Sequence, residues 1–235
     1  MWAGVALRAA VPSALGLVLL TAAFFLFILP QFERGLMAGK HDMIRALVQT
    51  VHGVFARVDE RYRNGEMSLA AAQARGRAVV ESLRYGADGR EYFWLQDVDG
   101  RLLFHPYRRD MEGVDLAALG DRPDAQVLRR LSRAAREPGG GFVEYEWQRH
   151  GDASVVVPKI SYVALYEPWG WIVGTGVYVD DVAAETALLT RRVTAVALLT
   201  LLCVALLSGF VTWQHAAAEL RRRRALEALR VTEEN

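Results

Sequence analysis

Lys159 stands in a run rich in β-branched residues and tyrosine, Val155 to Tyr166, a poor setting for a solvated ammonium. Two roles fit it: a charge-assisted donor to an anion, or an edge-strand side chain whose stem lies on the sheet while its head reaches water. His105 lies beside Pro106 at the end of a short apolar run, where a neutral imidazole donates or accepts and a protonated one pairs with a carboxylate. It suits the cap of a hairpin equally well. Arg84 is able to fork onto a carboxylate, and as readily stays solvated at a helix end. Tyr92 and Trp94 share a strand face by alternation, either as core or as pocket wall. Tyr145 and Tyr162 carry hydroxyls that need partners once buried. Gly170, Gly174 and Gly176 alternate, which permits the close approach of backbone or ligand, or tight packing under a helix.

Catalytic patterns are missing from the sequence. It contains no Gly-rich phosphate loop, no HExxH or CxxC, and no nucleophile elbow. The five histidines are scattered, and His41 and His52, eleven residues apart, are too distant on a helix to share a metal. Asp180-Asp181 fits either a metal site or a helix start, where acids complement the dipole. No enzyme activity, metal or cofactor is expected of this chain. With 28 Lys+Arg against 27 Asp+Glu, net charge gives no reason to expect a nucleic-acid partner.

The elements that must position these residues begin with two uncharged runs, Val11 to Leu29 and Val193 to Trp213. Each is near the ~20 residues a helix needs to cross a bilayer. The first run continues through Phe24 to Leu29, too long for a signal core, so an uncleaved anchor is expected. Arg221 to Arg224 after the second run outnumber Arg191-Arg192 before it, which places both termini in the cytoplasm. The expected order is a cytoplasmic N-terminus (1–10), a first span (11–30), an extracytoplasmic domain (31–191), a second span (192–213) and a cytoplasmic helix start (214–235). The lone Cys203 excludes an intramolecular disulfide.

Between the spans, apolar residues from Leu36 to Tyr62 recur at three and four, predicting a helix from about 31 to 63 that stands as a stalk and ends at Asn64-Gly65. Its stripe also offers a surface to a second copy, so a homodimer is expected. A second helix starts at Ser68 and ends at Gly86. Then the period becomes two. Tyr92 to Gln96 and Arg101 to His105 flank the turn Asp99-Gly100 as a hairpin. After a partly helical connection, Asp121 to Glu137, come three strands: Phe142 to Trp147, Val155 to Tyr166 with Pro158 as a bulge or edge point, and Trp169 to Tyr178. A helix from Val179 leads into the second run. Five antiparallel strands with helices make an α+β domain.

Six blocks in this order, Leu83-Arg84-Tyr85, Tyr92-Phe93-Trp94, Asp99-Gly100 with His105-Pro106, Gly141 to Tyr145, Pro158 to Val163, and Trp169 to Tyr178 with Asp180-Asp181, resemble the single Cache domain of type 2 over about residues 34–185. The resemblance implies a PAS-like five-stranded antiparallel sheet carried on a long N-terminal stalk helix, flanked by two transmembrane helices. It implies an extracytoplasmic sensor of a bacterial inner-membrane receptor: a chemoreceptor, histidine kinase or diguanylate cyclase type. Its implied ligands are small carboxylates such as acetate, propionate, lactate or pyruvate. An anion that small needs charge-assisted donors and aromatic walls, so the ligand residues expected are Lys159, His105, Tyr162, Arg84, Tyr92, Trp94 and Tyr145. Gln148-Arg149-His150 departs from the family's lysine-proline pair, in a loop expected to lie off the pocket. The alternative is a membrane-anchored scaffold that binds a protein and no small ligand.

Overall fold

The computed structural model describes residues 12, 15, 16, 18–86, 88–150 and 152–233. The chain divides into two compact units, Leu36–Glu185 and the apolar segments before Leu36 and after Glu185. The expected cytoplasmic N-terminus lies outside the described residues.

Among the described residues, two helices are long and apolar enough to cross a membrane. Helix runs from Val18 to Arg63, with a π-helical turn at Phe24–Ile28, and the other candidate span is Thr190–Glu219. Leu26, Phe27, Leu199 and Leu206 are all more than half exposed, as expected of side chains that hydrocarbon would cover.

The Leu36–Glu185 unit is an antiparallel sheet with helices on both faces. Its elements are α1 (Leu29–Arg63, whose first residues belong to the other unit), α2 (Leu69–Ser82), β1 (Arg84–Tyr85), β2 (Glu91–Asp97), β3 (Leu102–Phe104), α3 (Pro123–Ala135), β4 (Gly141–Arg149), β5 (Asp152–Tyr166), β6 (Trp171–Tyr178) and the start of α4 (Val179–Glu233). The strand order is β1-β2-β6-β5-β4, with β3 paired to β2. The capping expectations hold at Ser68, whose Oγ accepts from the Ala71 amide at 3.2 Å, and at Gly65, which ends α1 with φ +78°.

Alternation assigns the faces. Phe93, Leu95, Val173, Val177, Ile160 and Tyr162 turn toward α1 and α2, while Tyr92, Trp94, Ile172, Val163, Val143, Tyr145 and Trp147 turn toward α3. Ile44, Val48, Val51 and Phe55 of α1 are 1% exposed or less, each contributing about 1.5–3 kcal/mol of burial. Asp59 adds a polar rivet: its Oδ1 accepts from Trp169 Nε1 at 2.9 Å and its Oδ2 meets Arg63 at 2.8 Å. So the apolar stripe of α1 lies on the sheet of its own chain. The long helix expected from about 31 to 63 is present, as one helix with the first candidate span, and the residues of its stripe named here are covered by that sheet.

Two local readings change. The second helix stops at Ser82, not Gly86, because Arg84 and Tyr85 pair with Tyr92 and Glu91 as a sixth strand. Gly170 is not on the strand with Gly174 and Gly176; it takes a left-handed φ of +62° in the turn before β6. Pro158 is an edge point. There β5 pairs with Glu146 of β4, while its pairing with β6 starts one residue later, at Lys159.

Candidate functional site

Register places Lys159 between Tyr145 of β4 and Tyr178 of β6, all on the α3 face together with Tyr92 and Trp94 of β2. The Lys159 side chain is fully buried. Its Nζ lies 3.9 Å from the ring centroid of Tyr92, 4.6 Å from that of Tyr178 and 5.7 Å from that of Trp94. It makes no hydrogen bond among the described residues. Three aromatic faces thus stand in for a hydration shell, and up to three N–H donors are left for something that enters.

His105 closes the cage. It is 2% exposed and edge-on to Tyr92 at 5.0 Å between ring centroids. Its Nδ1 accepts from the Tyr107 amide at 3.2 Å, so the proton of the neutral ring belongs on Nε2, a donor. Burial, and then the neighbouring charge of Lys159, hold its pKa well below the ordinary histidine value. Glu112 Oε1 fixes the segment by accepting from the His105 amide at 3.0 Å. Tyr145 shares a hydrogen with Ser161 Oγ at 2.9 Å, and burial pushes its phenol upward. Trp94 lies flat because Gly174 faces it across the sheet; a Cβ there would run into the indole.

The other expected residues lie elsewhere. Arg84 is exposed and donates to the carbonyls of Glu81 at 3.1 Å and Leu83 at 2.7 Å, a cap on α2 outside the cage. Tyr162 is on the opposite face, beside Phe142, with its hydroxyl donating to the Gly139 carbonyl. Its one-residue offset from Ser161 decides the face.

Glu91 and Tyr178 were missed by the sequence reading. Glu91 opens β2; burial raises its pKa to about 7 and lowers that of Lys159 to about 7, each opposed by the partner's charge. Tyr178 is the last strand residue before α4, and its hydroxyl donates to the Gln148 carbonyl at 2.9 Å and accepts from the His150 amide at 3.2 Å. The hairpin tip Gln148-Arg149-His150 therefore reaches the cage wall, contrary to the expectation that it lies off the site. Arg149 continues the link, binding Asp180 at 2.6 Å and Asp181 at 2.5 Å in the first turn of α4. His150 holds φ +42° at the tip, a strained conformation for a residue with a Cβ.

Beside the cage, a cavity of about 440 Å³ is lined by Lys40, Tyr85, Glu91, Arg149, His150 and Tyr178 among others. Glu91, His150 and Asp181 each offer a ligand atom within 4.8 Å of the others. Arg149 already holds Asp181, and Lys40 and Lys159 both act on Glu91, so these charges compete with a metal ion there.

The model of the family described as single Cache domain 2 matches residues 36–191. The methyl-accepting chemotaxis protein McpP of Pseudomonas putida is 40% identical over 162 residues, 69% of this chain and 29% of that protein. The sensor histidine kinase MctS of Rhizobium johnstonii is 38% identical over 117 residues, 50% of this chain and 24% of its own. The chain thus spans less than a third of either relative's length. Among solved structures, a periplasmic sensor domain of a chemotaxis protein is 39% identical with a TM-score of 0.55, covering 61% of this chain and 97% of that one. A Cache chemosensory domain described for its carboxylic acid recognition is 35% identical, also with a TM-score of 0.55, covering 62% and 97%. With the matched residues spanning the whole sheet and the helices that pack on it, the chain belongs to the single Cache domain 2 family.

Proposed function

We propose that this chain is a two-span inner-membrane sensory module whose Cache domain, on the outer side, binds a small carboxylate of two to four carbons at Lys159 and passes the change through α4 toward the cytoplasm. The observation that carries the reading is the Lys159 ammonium, fully buried, ringed by Tyr92, Trp94 and Tyr178, and without a hydrogen-bond acceptor. A buried donor left unmet is costly, and a carboxylate meets it with charge. His105 Nε2 and the Tyr145 hydroxyl supply neutral donors on the same sheet face. Three rings within 5.7 Å of Nζ wall the ammonium, which favours a ligand of a few carbons. The carboxylic acid recognition described for one similar domain supports the same class.

The test is a thermal-shift panel on the full chain in detergent with acetate, propionate, lactate, pyruvate and C4 acids. A ligand at 100 times its Kd stabilises by about 2.7 kcal/mol. A rise in Tm with one or more acids that disappears in Lys159→Met supports the reading, and no shift across the panel favours the protein-binding scaffold. Alkaline phosphatase fused near Gly120 is expected to be active, and fused after Asn235 inactive; the reverse pattern overturns the topology.

A further inference from the structure

The cavity beside the cage gathers polar atoms that no described side chain or backbone group satisfies. Glu91 Oε2, His150 Nε2 and Arg149 Nε are each buried without a hydrogen-bond partner, and all three residues line the same space of about 440 Å³. Atoms left unmet in this way are costly, and three of them around one cavity point to something that fills it. The segments that meet there are far apart in the chain: Glu91 opens β2, His150 is at the tip of the β4–β5 hairpin, and Asp181 is in the first turn of α4. The backbone of His150, at φ +42°, aims its ring inward, with its amide on the Tyr178 hydroxyl at 3.2 Å and the two rings edge-on at 4.8 Å between centroids. Its Nε2 stands 4.0 Å from Glu91 Oε1, too far for a hydrogen bond. One donor atom from each of Glu91, His150 and Asp181 lies within 4.8 Å of the others.

We propose that Glu91, His150 and Asp181 form a Zn²⁺ site that ties the start of β2 and the β4–β5 hairpin tip to the first turn of α4. One imidazole nitrogen with two carboxylate oxygens is a donor set for a borderline-soft divalent ion, whereas Ca²⁺ and Mg²⁺ take oxygen ligands throughout. Three protein ligands leave a fourth position to water. Bonds of about 2.0–2.2 Å set neighbouring tetrahedral donors ~3.4 Å apart, so the widest pair closes by about 1.4 Å or less. Asp181, with a side chain 47% exposed, has room to make that movement. The charges that oppose an ion are met in part by the same geometry. Arg149 holds both Asp180 and Asp181, and it keeps Asp180 when Asp181 turns to the metal. Lys40 and Lys159 act on Glu91 and remain as a cost to affinity. The site is separate from the carboxylate cage: by alternation Glu91 shares the α1 face of β2 with Phe93, while Lys159 is on the α3 face. Tyr178 touches both, lining the cavity and walling the ammonium. An ion held here fixes the first turn of the helix that leaves the domain.

The experiment is thermal unfolding and calorimetry on the full, tag-free chain in detergent, stripped with EDTA and titrated with ZnCl₂, MgCl₂ or CaCl₂ without any carboxylate. Zn²⁺ is expected to bind one ion per chain and raise Tm, with little effect of Mg²⁺ or Ca²⁺. Loss of a mere supporting group around a metal costs about 10- to 100-fold in affinity, so His150→Asn, which tolerates the left-handed backbone, and Glu91→Gln should each weaken Zn²⁺ by about 10-fold or more. Asp181→Asn, at an exposed position, should do the same and decides the matter if either buried variant fails to unfold cooperatively. Arg149→Ala removes the competitor for Asp181 and should tighten Zn²⁺ several-fold, while Lys159→Met should still bind the ion. No heat and no rise in Tm with Zn²⁺ at millimolar concentration overturns the proposal. So does binding that the folded variants at His150, Glu91 and Asp181 leave unchanged, or an equal response to Mg²⁺. Each of these failures leaves the Lys159 cage standing.

Discussion

The hydroxyl of Tyr178 donates to the carbonyl of Gln148 at 2.9 Å while the ring of the same tyrosine lies 4.6 Å from Lys159 Nζ. One side chain is thus both a wall of the cage and the anchor of the β4–β5 hairpin tip. Tyr178→Phe keeps the ring and removes both hydroxyl contacts. We expect it to lower stability by about 1–2 kcal/mol and to leave carboxylate affinity within a few-fold of wild type, measured by urea unfolding and calorimetry. A loss of binding with stability unchanged would instead place the hydroxyl on the ligand.

Lys159→Met separates recognition from folding. The substitution replaces a buried, unbonded ammonium with an apolar side chain of similar length, so stability is expected to hold or rise by ~1 kcal/mol. Carboxylate binding should weaken by about 1.5–3 kcal/mol, or roughly 10- to 150-fold. A marked fall in stability would show that Lys159 serves the fold.

Stability should depend on pH in two opposed limbs. Glu91 has a folded pKa of about 7, above its ordinary 4.5, so the folded state binds the proton more tightly and stability falls as pH rises from about 4.5 to 7. Lys159 has a folded pKa of about 7, below its ordinary 10.5; the unfolded state binds more protons between the two values, and stability rises with pH across that interval. Thermal unfolding of Glu91→Gln against pH should lack the first limb, and Lys159→Met the second. A wild-type Tm that peaks at pH 7 and is unaltered in shape by either substitution would contradict both shifts.

The legible part of the molecule was local. The α1 stripe, the Ser68 cap and the Asp99-Gly100 turn each lie within a few residues of what they determine. Lys159 was visible because an ammonium conflicts with a β-branched strand wherever that strand goes. Arg84–Tyr85 was not, since two residues carry no period and only their pairing with Tyr92 and Glu91 makes them a strand. Tyr178 reaches Lys159 through the register of β5 on β6, which no spacing along the chain reveals. Tyr162 lies on the face opposite Lys159 for the same reason: face is decided by one residue of register.

Gly174→Ala tests the wall from behind. The new Cβ meets the Trp94 indole, which lies flat on the sheet, so we expect destabilisation of about 1–3 kcal/mol from overpacking and, with the ring lifted toward Lys159, weaker binding of lactate than of acetate. Equal loss for both acids would show that Trp94 does not set the length limit.

Arg149→Ala is expected to reduce stability by about 1 kcal/mol or less, because the pairs it makes with Asp180 and Asp181 are partly exposed. Its effect should be on transmission. In a fusion to a cytoplasmic reporter, carboxylate should still bind with nearly wild-type affinity but elicit a smaller response. An undiminished response would remove the hairpin tip from the signalling route.

Strand β6 ends at Tyr178 and α4 begins at Val179, with no residue between them. A joint of zero length has no slack in which a twist dissipates, and it fixes helical phase. Each residue added to or removed from α4 turns everything beyond it by about 100° and shifts it by 1.5 Å. The spacing from Tyr178 along α4 is therefore a quantity on which any change carried by this helix depends, even where side chains on the way are free to vary.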